Sequence, residues 1–548
     1  MTLITETADA TSNTATSYSM GVGDVFYGRE SQGGTDWVAV TLVAGHTYSF
    51  GAVGLGAVGS GVTDPLIKLH AANGTVLDQN DDSGPGFCAD LSFTATTSGT
   101  YYIEVKSLNG VTDGEYGLVV TEGDRPSYGA DLGAAVLYRA GASWNASAGE
   151  PVNITWAVRG SGIATDASGD PAPFSMLTAA QIAATQDALA NYSEISNITF
   201  NRLVGSGGVA SNSATILVGA YTSTTDGAGA YAMFPGSTAA SSSDGDLWIN
   251  NDSVSTTSMP VGTYDYFVFL HELGHAMGLE HPGDYNAAPG VNITYRNSAQ
   301  FIEDSQQFSV MSYFAATDTQ ADSPTSYCDT LMLYDIYAIQ SMYGVNSATR
   351  SGNDTYGFHS NLSGAYDFTA NADPLMCIWD GAGLDTLDLS GFGGRQVIDL
   401  NDGGFSDVGG FKGNLSIAYG AMIENAVGGR GADEIWGNDL ANFLRGGKGG
   451  DLLFGDCGND RLAGNGGVDD FVFASGSGRD RIIDFDASSE TLTLSRDLWG
   501  GVTKTAAQVI SEFAVLRNGI VVFDFGVDEL TLQGVNATAA LSANLLFV

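Results

Sequence analysis

From Gly428 the chain advances in steps of nine residues: GGRGADEIW, GNDLANFLR, GGKGGDLLF, GDCGNDRLA and GNGGVDDFV. A helix needs an apolar residue every three or four positions, so a nine-residue step with recurring glycines points instead to short strands joined by tight turns. Ile435, Leu444, Leu453, Leu462 and Phe471 then point inward at constant spacing, and a parallel β-roll is predicted. A glycine-rich flexible linker would not keep an apolar residue at every ninth position. Asp433, Asp451, Asp460 and Asp469, with the turn glycines Gly429, Gly431, Gly447 and Gly449, are candidate ligands for a hard cation such as Ca²⁺. The second unit carries Asn442 where the aspartate belongs and lacks two of its glycines, which predicts weaker cation positions there.

The charge balance agrees with that reading. Sixty-two acidic against 20 basic residues leave a net charge of −42, which repels nucleic acid and anionic membranes and makes calcium the natural counter-charge. With 548 residues, 43% of them apolar, the chain has material for about three or four domains.

Residues 271 to 282 read His-Glu-Leu-Gly-His-Ala-Met-Gly-Leu-Glu-His-Pro and hold half of the chain's six histidines. Histidines four apart project from one face of a helix, so His271 and His275 can reach a single ion while Glu272 stands beside it. Gly278 permits the positive φ that stops the helix and turns the chain back, delivering His281 as third ligand. Three imidazoles leave a position open on Zn²⁺, where a water becomes a usable nucleophile and Glu272 can take its proton. At this chain's histidine frequency, three at fixed spacing arise by chance about once in 10⁶ start positions. The apolar run Phe267-Val268-Phe269-Leu270 ahead of the motif predicts a buried helix that holds the first two ligands rigidly.

The extended histidine string resembles the metzincin metalloproteases, in which a methionine turn follows later in the chain. Ser309-Val310-Met311-Ser312-Tyr313-Phe314 supplies that turn, and with His281-Pro282-Gly283-Asp284-Tyr285-Asn286 it narrows the resemblance to the serralysin branch. The resemblance implies that Met311 forms an apolar floor under the ligands. It implies too that Tyr313 is a further zinc ligand whose hydroxyl swings to hydrogen-bond the oxyanion. The segments Arg350-Ser351-Gly352-Asn353-Asp354 and Asp380-Gly381-Ala382-Gly383-Leu384-Asp385 resemble the serralysin stretches that share a calcium at a domain junction, with Arg350, Gly352, Asp354, Asp380, Gly383 and Asp385 as ligands and Glu424 at another calcium. Proteins with such repeats resemble type I secretion substrates, exported through that apparatus at low calcium and folded outside the cell. Consistent with this, the first twenty residues lack a basic start and an apolar core, so no Sec signal is visible, and no run of eighteen apolar residues exists for membrane insertion. The end, Asn544-Leu545-Leu546-Phe547-Val548, is apolar without the acidic residue that often precedes such a signal.

Residues 128–345 read as a metzincin protease domain of the α+β class. Thr178-Ala179-Ala180-Gln181 opens a helix with a capping box, and short strands follow at 198–200, 215–218 and 246–249. The stretch Ala230-Tyr231-Ala232-Met233-Phe234-Pro235 matches the serralysin sheet edge above the cleft, where an extended peptide can pair as another strand; a simple edge strand closed by Pro235 is the alternative. Residues 16–122 alternate apolar and polar positions with an Asn73-Gly74 hairpin turn, predicting a β-sandwich. It resembles the bacterial pre-peptidase C-terminal (PPC) domain and stands where serralysins carry a short propeptide, so removal, folding assistance and substrate binding are all open roles. Asp78, Asn80, Asp81 and Asp82 either bind calcium or form a solvated loop. Residues 1–15 read as a disordered leader, and residues 346–548 as the roll with a β-sandwich-like end and a secretion region.

Cys88, Cys328, Cys377 and Cys457 show no ligand or disulfide spacing and are expected as free thiols; Cys88 lacks the flanking pattern of an inhibitory zinc-capping thiolate. The expectation is a secreted, extracellular zinc endopeptidase acting on proteins or peptides, with one catalytic Zn²⁺ and several structural Ca²⁺. The alternative is an inactive, calcium-dependent surface-binding protein, against which every catalytic position is filled.

Overall fold

The computed structural model describes every residue except Met1, Asp9, 32–33, 56–63, Asp82, Phe87, 109–112, Ile163, Pro289 and 324–326. Asp82, one of the candidate calcium residues of the N-terminal module, therefore lies outside the described residues. The chain forms two compact units, Met1–Thr319 with Leu331–Asn346, and Gln320–Thr330 with Ser347–Val548. The N-terminal module and the protease region share the first unit.

That unit begins with two five-stranded sheets. One runs in the order Leu3–Thr5, Val25–Ser31, Asp113–Glu122, Thr47–Leu55, Ala89–Thr94, and the other Ser19–Met20, Asp36–Leu42, Gly99–Ser107, Pro65–His70, Val76–Asn80. Period-2 alternation sends Val38, Val40 and Leu42 from one sheet and Phe50, Ala52 and Leu118 from the other into a single core. Gly74, at φ +83°, makes the expected hairpin turn. The leader is a correction: Leu3–Thr5 pairs in parallel with Val25–Tyr27, Ile4 packs on the core, and the Tyr18 hydroxyl accepts from the amides of Thr7 and Ala8. The polar composition of the first fifteen residues hid a short edge strand whose backbone is satisfied by its neighbour.

The second part of this unit is a sheet in the order Ile198–Arg202, Val152–Val158, Ile216–Tyr221, Leu247–Asn250, Ala230–Ala232. The first four strands are parallel, and Ala230–Ala232 closes the edge antiparallel. The helix Ala179–Ile195 starts at the predicted Thr178–Gln181 capping box. It packs on the helix Tyr264–Ala276, where the Tyr192 hydroxyl donates to the carbonyl of Leu270 at 2.7 Å.

In the second unit, nine-residue units alternate between two parallel sheets, so pairing skips every other unit. Glu434 pairs with Leu452 and Leu452 with Asp470 on one sheet, while Phe443 pairs with Arg461 on the other. Ile435, Leu444, Leu453, Leu462 and Phe471 are all 0–1% exposed between the sheets, each burial stabilising by roughly 1.5–3 kcal/mol. One sheet of the roll ends in an antiparallel hairpin of Ala514–Arg517 with Ile520–Asp524, and the other in Leu545–Phe547, parallel to Thr491–Leu494.

Candidate metal centre

The helix Tyr264–Ala276 is apolar nearly all round because it is covered on most sides: Tyr266 through Leu273 are all buried. It presents His271 and His275 one turn apart and ends at once. Gly278, at φ +102°, turns the chain, and a Cβ there would come within 2.1 Å of the Ala142 carbonyl oxygen, so only glycine fits. The turn brings His281 back, and its Nε2 lies 3.2 Å from that of His271 and 3.1 Å from that of His275.

The second ring nitrogen of each histidine fixes the tautomer. Nδ1 of His271 donates to the Val310 carbonyl at 2.8 Å, Nδ1 of His275 to Leu279 at 2.7 Å, and Nδ1 of His281 to Tyr285 at 2.9 Å. Three Nε2 lone pairs therefore converge with no proton among them, an arrangement that repels itself unless a cation sits between the rings. Burial keeps the rings neutral, pushing His271 down to about 4 and His275 to about 3. Neutral nitrogen donors in this number suit Zn²⁺. Beside them, Glu272 Oε2 is buried without a hydrogen-bond partner, and burial pushes its carboxyl up to about 8. The residues present fit the metal.

The methionine turn lies beneath. Met311 is fully buried, and a Cβ on Gly274 would come within 2.3 Å of its sulfur, so the glycine between the two helix histidines is what lets the turn approach. Two carboxylates brace this floor. Asp335 accepts from Ser309 Oγ at 2.7 Å and from the Val310 amide at 2.7 Å. Asp304 Oδ1 accepts from Ser312 Oγ at 2.7 Å and from the Tyr285 hydroxyl at 2.8 Å, joining the turn to the loop of the third histidine. Sequence reasoning missed Gly274, Asp335 and Asp304, because nothing in local spacing marks a residue that acts from another segment. Tyr313 stands with its ring centroid 4.5 Å from that of His281, and burial pushes its phenol up to about 12, so it stays a donor.

His271, Glu272, His275, His281 and Tyr313 line a cleft of about 680 Å³ together with Ala230 through Phe234, along and just past the antiparallel edge strand, and Gly283 through Ala287. Cys88 is not among the lining residues, and burial pushes its thiol up to about 12, which removes it as a capping thiolate. All four cysteines are free.

The family model of the serralysin C-terminal part of peptidase M10 matches residues 345–539, and that of the dual-action HEIGH metallo-peptidases matches residues 155–293. The chain is 38% identical over 428 residues to metallopeptidase AprA of Pseudomonas marginalis, spanning 75% of this chain and 86% of that one. It is also 38% identical over 373 residues to a serralysin of Photorhabdus luminescens, spanning 65% and 75%. The chain belongs to the serralysin family. It is a metalloendopeptidase of the metzincin type. The pre-peptidase C-terminal domain of a Bacillus anthracis collagenase aligns with 19% of this chain and 93% of its own length, at 19% identity and a TM-score of 0.16.

Within the serralysin C-terminal part, Asp354, Asp380 and Asp385 bring carboxylate oxygens within 4.8 Å of one another. Gly383 passes so close to Gly352 that a Cβ would sit 1.8 Å from its carbonyl oxygen. Glu424 accepts from the Asp385 amide at 2.7 Å, and the Arg350 guanidinium donates to the Trp379 carbonyl at 2.7 Å. Along the roll each aspartate uses Oδ1 to accept the amide of the residue one turn back: Asp451 from Asp433, Asp469 from Asp451, Asp460 from Asn442. That leaves Oδ2 of Asp451, Asp460 and Asp469 buried without a hydrogen-bond donor. Asp480, which lies out of the nine-residue step, continues the row by accepting from Asp460 and shares the same orphaned oxygen. Asp433 instead spends Oδ2 on the Gly429 amide at 2.5 Å. The side chain of Asn442 is satisfied by the Asn438 amide and the Glu424 carbonyl.

Proposed function

We propose that this metalloendopeptidase is a secreted zinc enzyme that hydrolyses peptide bonds of protein substrates and is stabilised by calcium. The observation that carries the reading is the convergence of three Nε2 lone pairs beside the unpartnered Glu272 oxygen at the floor of an open cleft. His271, His275 and His281 hold the zinc, with Tyr313 as a further ligand in the resting site. When bound, zinc supplies the Lewis acidity that makes water a usable nucleophile near neutral pH and draws electron density from the scissile carbonyl.

The remaining steps belong to the chain. A substrate backbone pairs with the free edge of Ala230–Ala232 and crosses the floor extended. Glu272 Oε2 accepts the proton of the attacking water and then passes it to the leaving amine. The Tyr313 hydroxyl, kept protonated by burial, donates to the oxyanion of the tetrahedral intermediate. Met311 and Gly274 keep the floor apolar and fixed.

Residues 16–122 form the sandwich domain, 128–345 the protease domain, and 346–548 the calcium-binding roll with the export region. Arg350, Gly352, Asp354, Asp380, Gly383, Asp385 and Glu424 serve calcium at the start of the roll, while Gly429, Gly431, Asp433, Gly447, Gly449, Asp451, Asp460 and Asp469 serve it between turns, joined by Asp480. Export follows the type I route, and extracellular calcium completes folding. Co-expression with and without a type I channel tests this, since an intracellular product in both cases would rule the route out.

For the chemistry, metal-stripped protein should regain casein cleavage on addition of one equivalent of zinc. The Glu272→Ala variant should bind the same zinc and cleave nothing measurable. Wild type that holds one zinc and leaves casein intact would defeat the reading.

A further inference from the structure

The N-terminal sandwich occupies the position of a propeptide, yet among the described residues none that lines the cleft precedes Arg139. It sits behind the third ligand instead. The Gly86 amide donates to Asp284 Oδ1 at 2.8 Å, and Gln300 bridges the two parts, its Oε1 accepting from the Asp284 amide at 2.9 Å and its Nε2 donating to the Ser83 carbonyl at 3.2 Å. Gly86 also lies flat on Arg139, where a Cβ would come within 2.6 Å of Nε. Arg139 in turn donates to the carbonyl of His281 at 2.7 Å and forms an ion pair with Glu280 at 2.8 Å.

The rest of this contact is packed as a core is packed. Leu132 presses on Gly117, where a Cβ would be 2.2 Å from its methyl carbon. Tyr128, 1% exposed, lies over Gly51 and donates to Asp90 Oδ1 at 2.8 Å. A segment built to be discarded would leave these apolar groups in water, whereas here glycines of the sandwich are cut to receive them.

We propose that the sandwich is a permanent support of the catalytic centre: through Ser83, Gly86 and Arg139 it holds the segment that carries His281, and without it zinc is bound more weakly. This rests on the reading of the three histidines as zinc ligands. Losing support behind a metal ligand typically weakens metal binding by about 10–100-fold.

A site for a sequence-specific protease placed between Gly123 and Asp124 of the full chain tests it. The nicked protein should run as one particle with its zinc affinity, read by competition with a chromogenic chelator, within about twofold of the uncut chain. Nicked Leu132→Asp should release the sandwich, and the remainder should bind zinc about tenfold or more weakly. Departure of the sandwich on nicking alone, or a released remainder with full zinc affinity, overturns the proposal. Should Leu132→Asp fail to fold, the uncut double variant Asp284→Ala, Gln300→Ala serves. It should show faster amide exchange at 281–287 and about tenfold weaker zinc, and unchanged affinity overturns the proposal. Uncut wild type that binds no zinc defeats the zinc reading itself, a result distinct from either of these.

Discussion

At the histidine centre every Nδ1–H is already donated to a carbonyl and burial keeps the rings uncharged, whereas along the roll Asp451, Asp460, Asp469 and Asp480 each bury a carboxylate oxygen with no donor. In the first region the three imidazoles are neutral, and packing and backbone hydrogen bonds hold them in place. The second stacks carboxylates that either a bound cation or protonation must reconcile with burial. On the proposed function, one ion would add chemistry to a finished site and the other would complete a fold. Removing each should have opposite consequences.

The largest effect expected is on turnover. Replacing Glu272 by Gln removes the proton acceptor while preserving shape, so kcat should fall by about 10²–10⁴-fold with zinc content and melting temperature retained. Casein assays beside calorimetry check both, and an unfolded variant would mean that the centre is less self-supporting than described.

Next comes calcium removal. A site that sees calcium at 100 times its Kd contributes about 2.7 kcal/mol, so chelating several sites should lower the melting temperature of the roll and its far-UV signal together. A roll that melts identically in chelator would erase the contrast. Third, Gly274→Ala drives a methyl against the Met311 sulfur and should cost about 1–3 kcal/mol as overpacking, read as a lower urea midpoint with weakened zinc binding.

The smallest effect is one of pH. Burial pushes the folded-state values of Asp451 and Asp480 to about 7 and of Asp460 to about 8, above the ordinary 3.8. The folded roll then holds protons more tightly than the unfolded chain, so this contribution is complete below about pH 4 and is lost as pH rises through 7 to 8. In chelator, melting temperatures should climb from pH 8 to pH 5. With calcium present the trend should reverse, because protonation competes with the ion.

What could be read from sequence follows the same divide. The roll's inward residues and most of its carboxylates are periodic, so Ile435 through Phe471 were legible from spacing alone. Asp480 was not, because the step from Asp460 lengthens to twenty residues. The convergence of the three histidines was legible because one helix and one turn place all three. Asp335, Asp304 and Arg139 act across the fold from other segments, and a single sequence holds no record of that contact. The leader misled because its strand, Leu3–Thr5, is only three residues long and gains its order from Val25–Tyr27.

Amide hydrogen exchange resolved by peptide, with and without a calcium chelator at constant zinc, probes the contrast most directly. The account predicts that amides at 434–473 lose protection when calcium is withdrawn while those at 264–281 keep theirs. Equal loss of protection in both regions, or none in either, would contradict it.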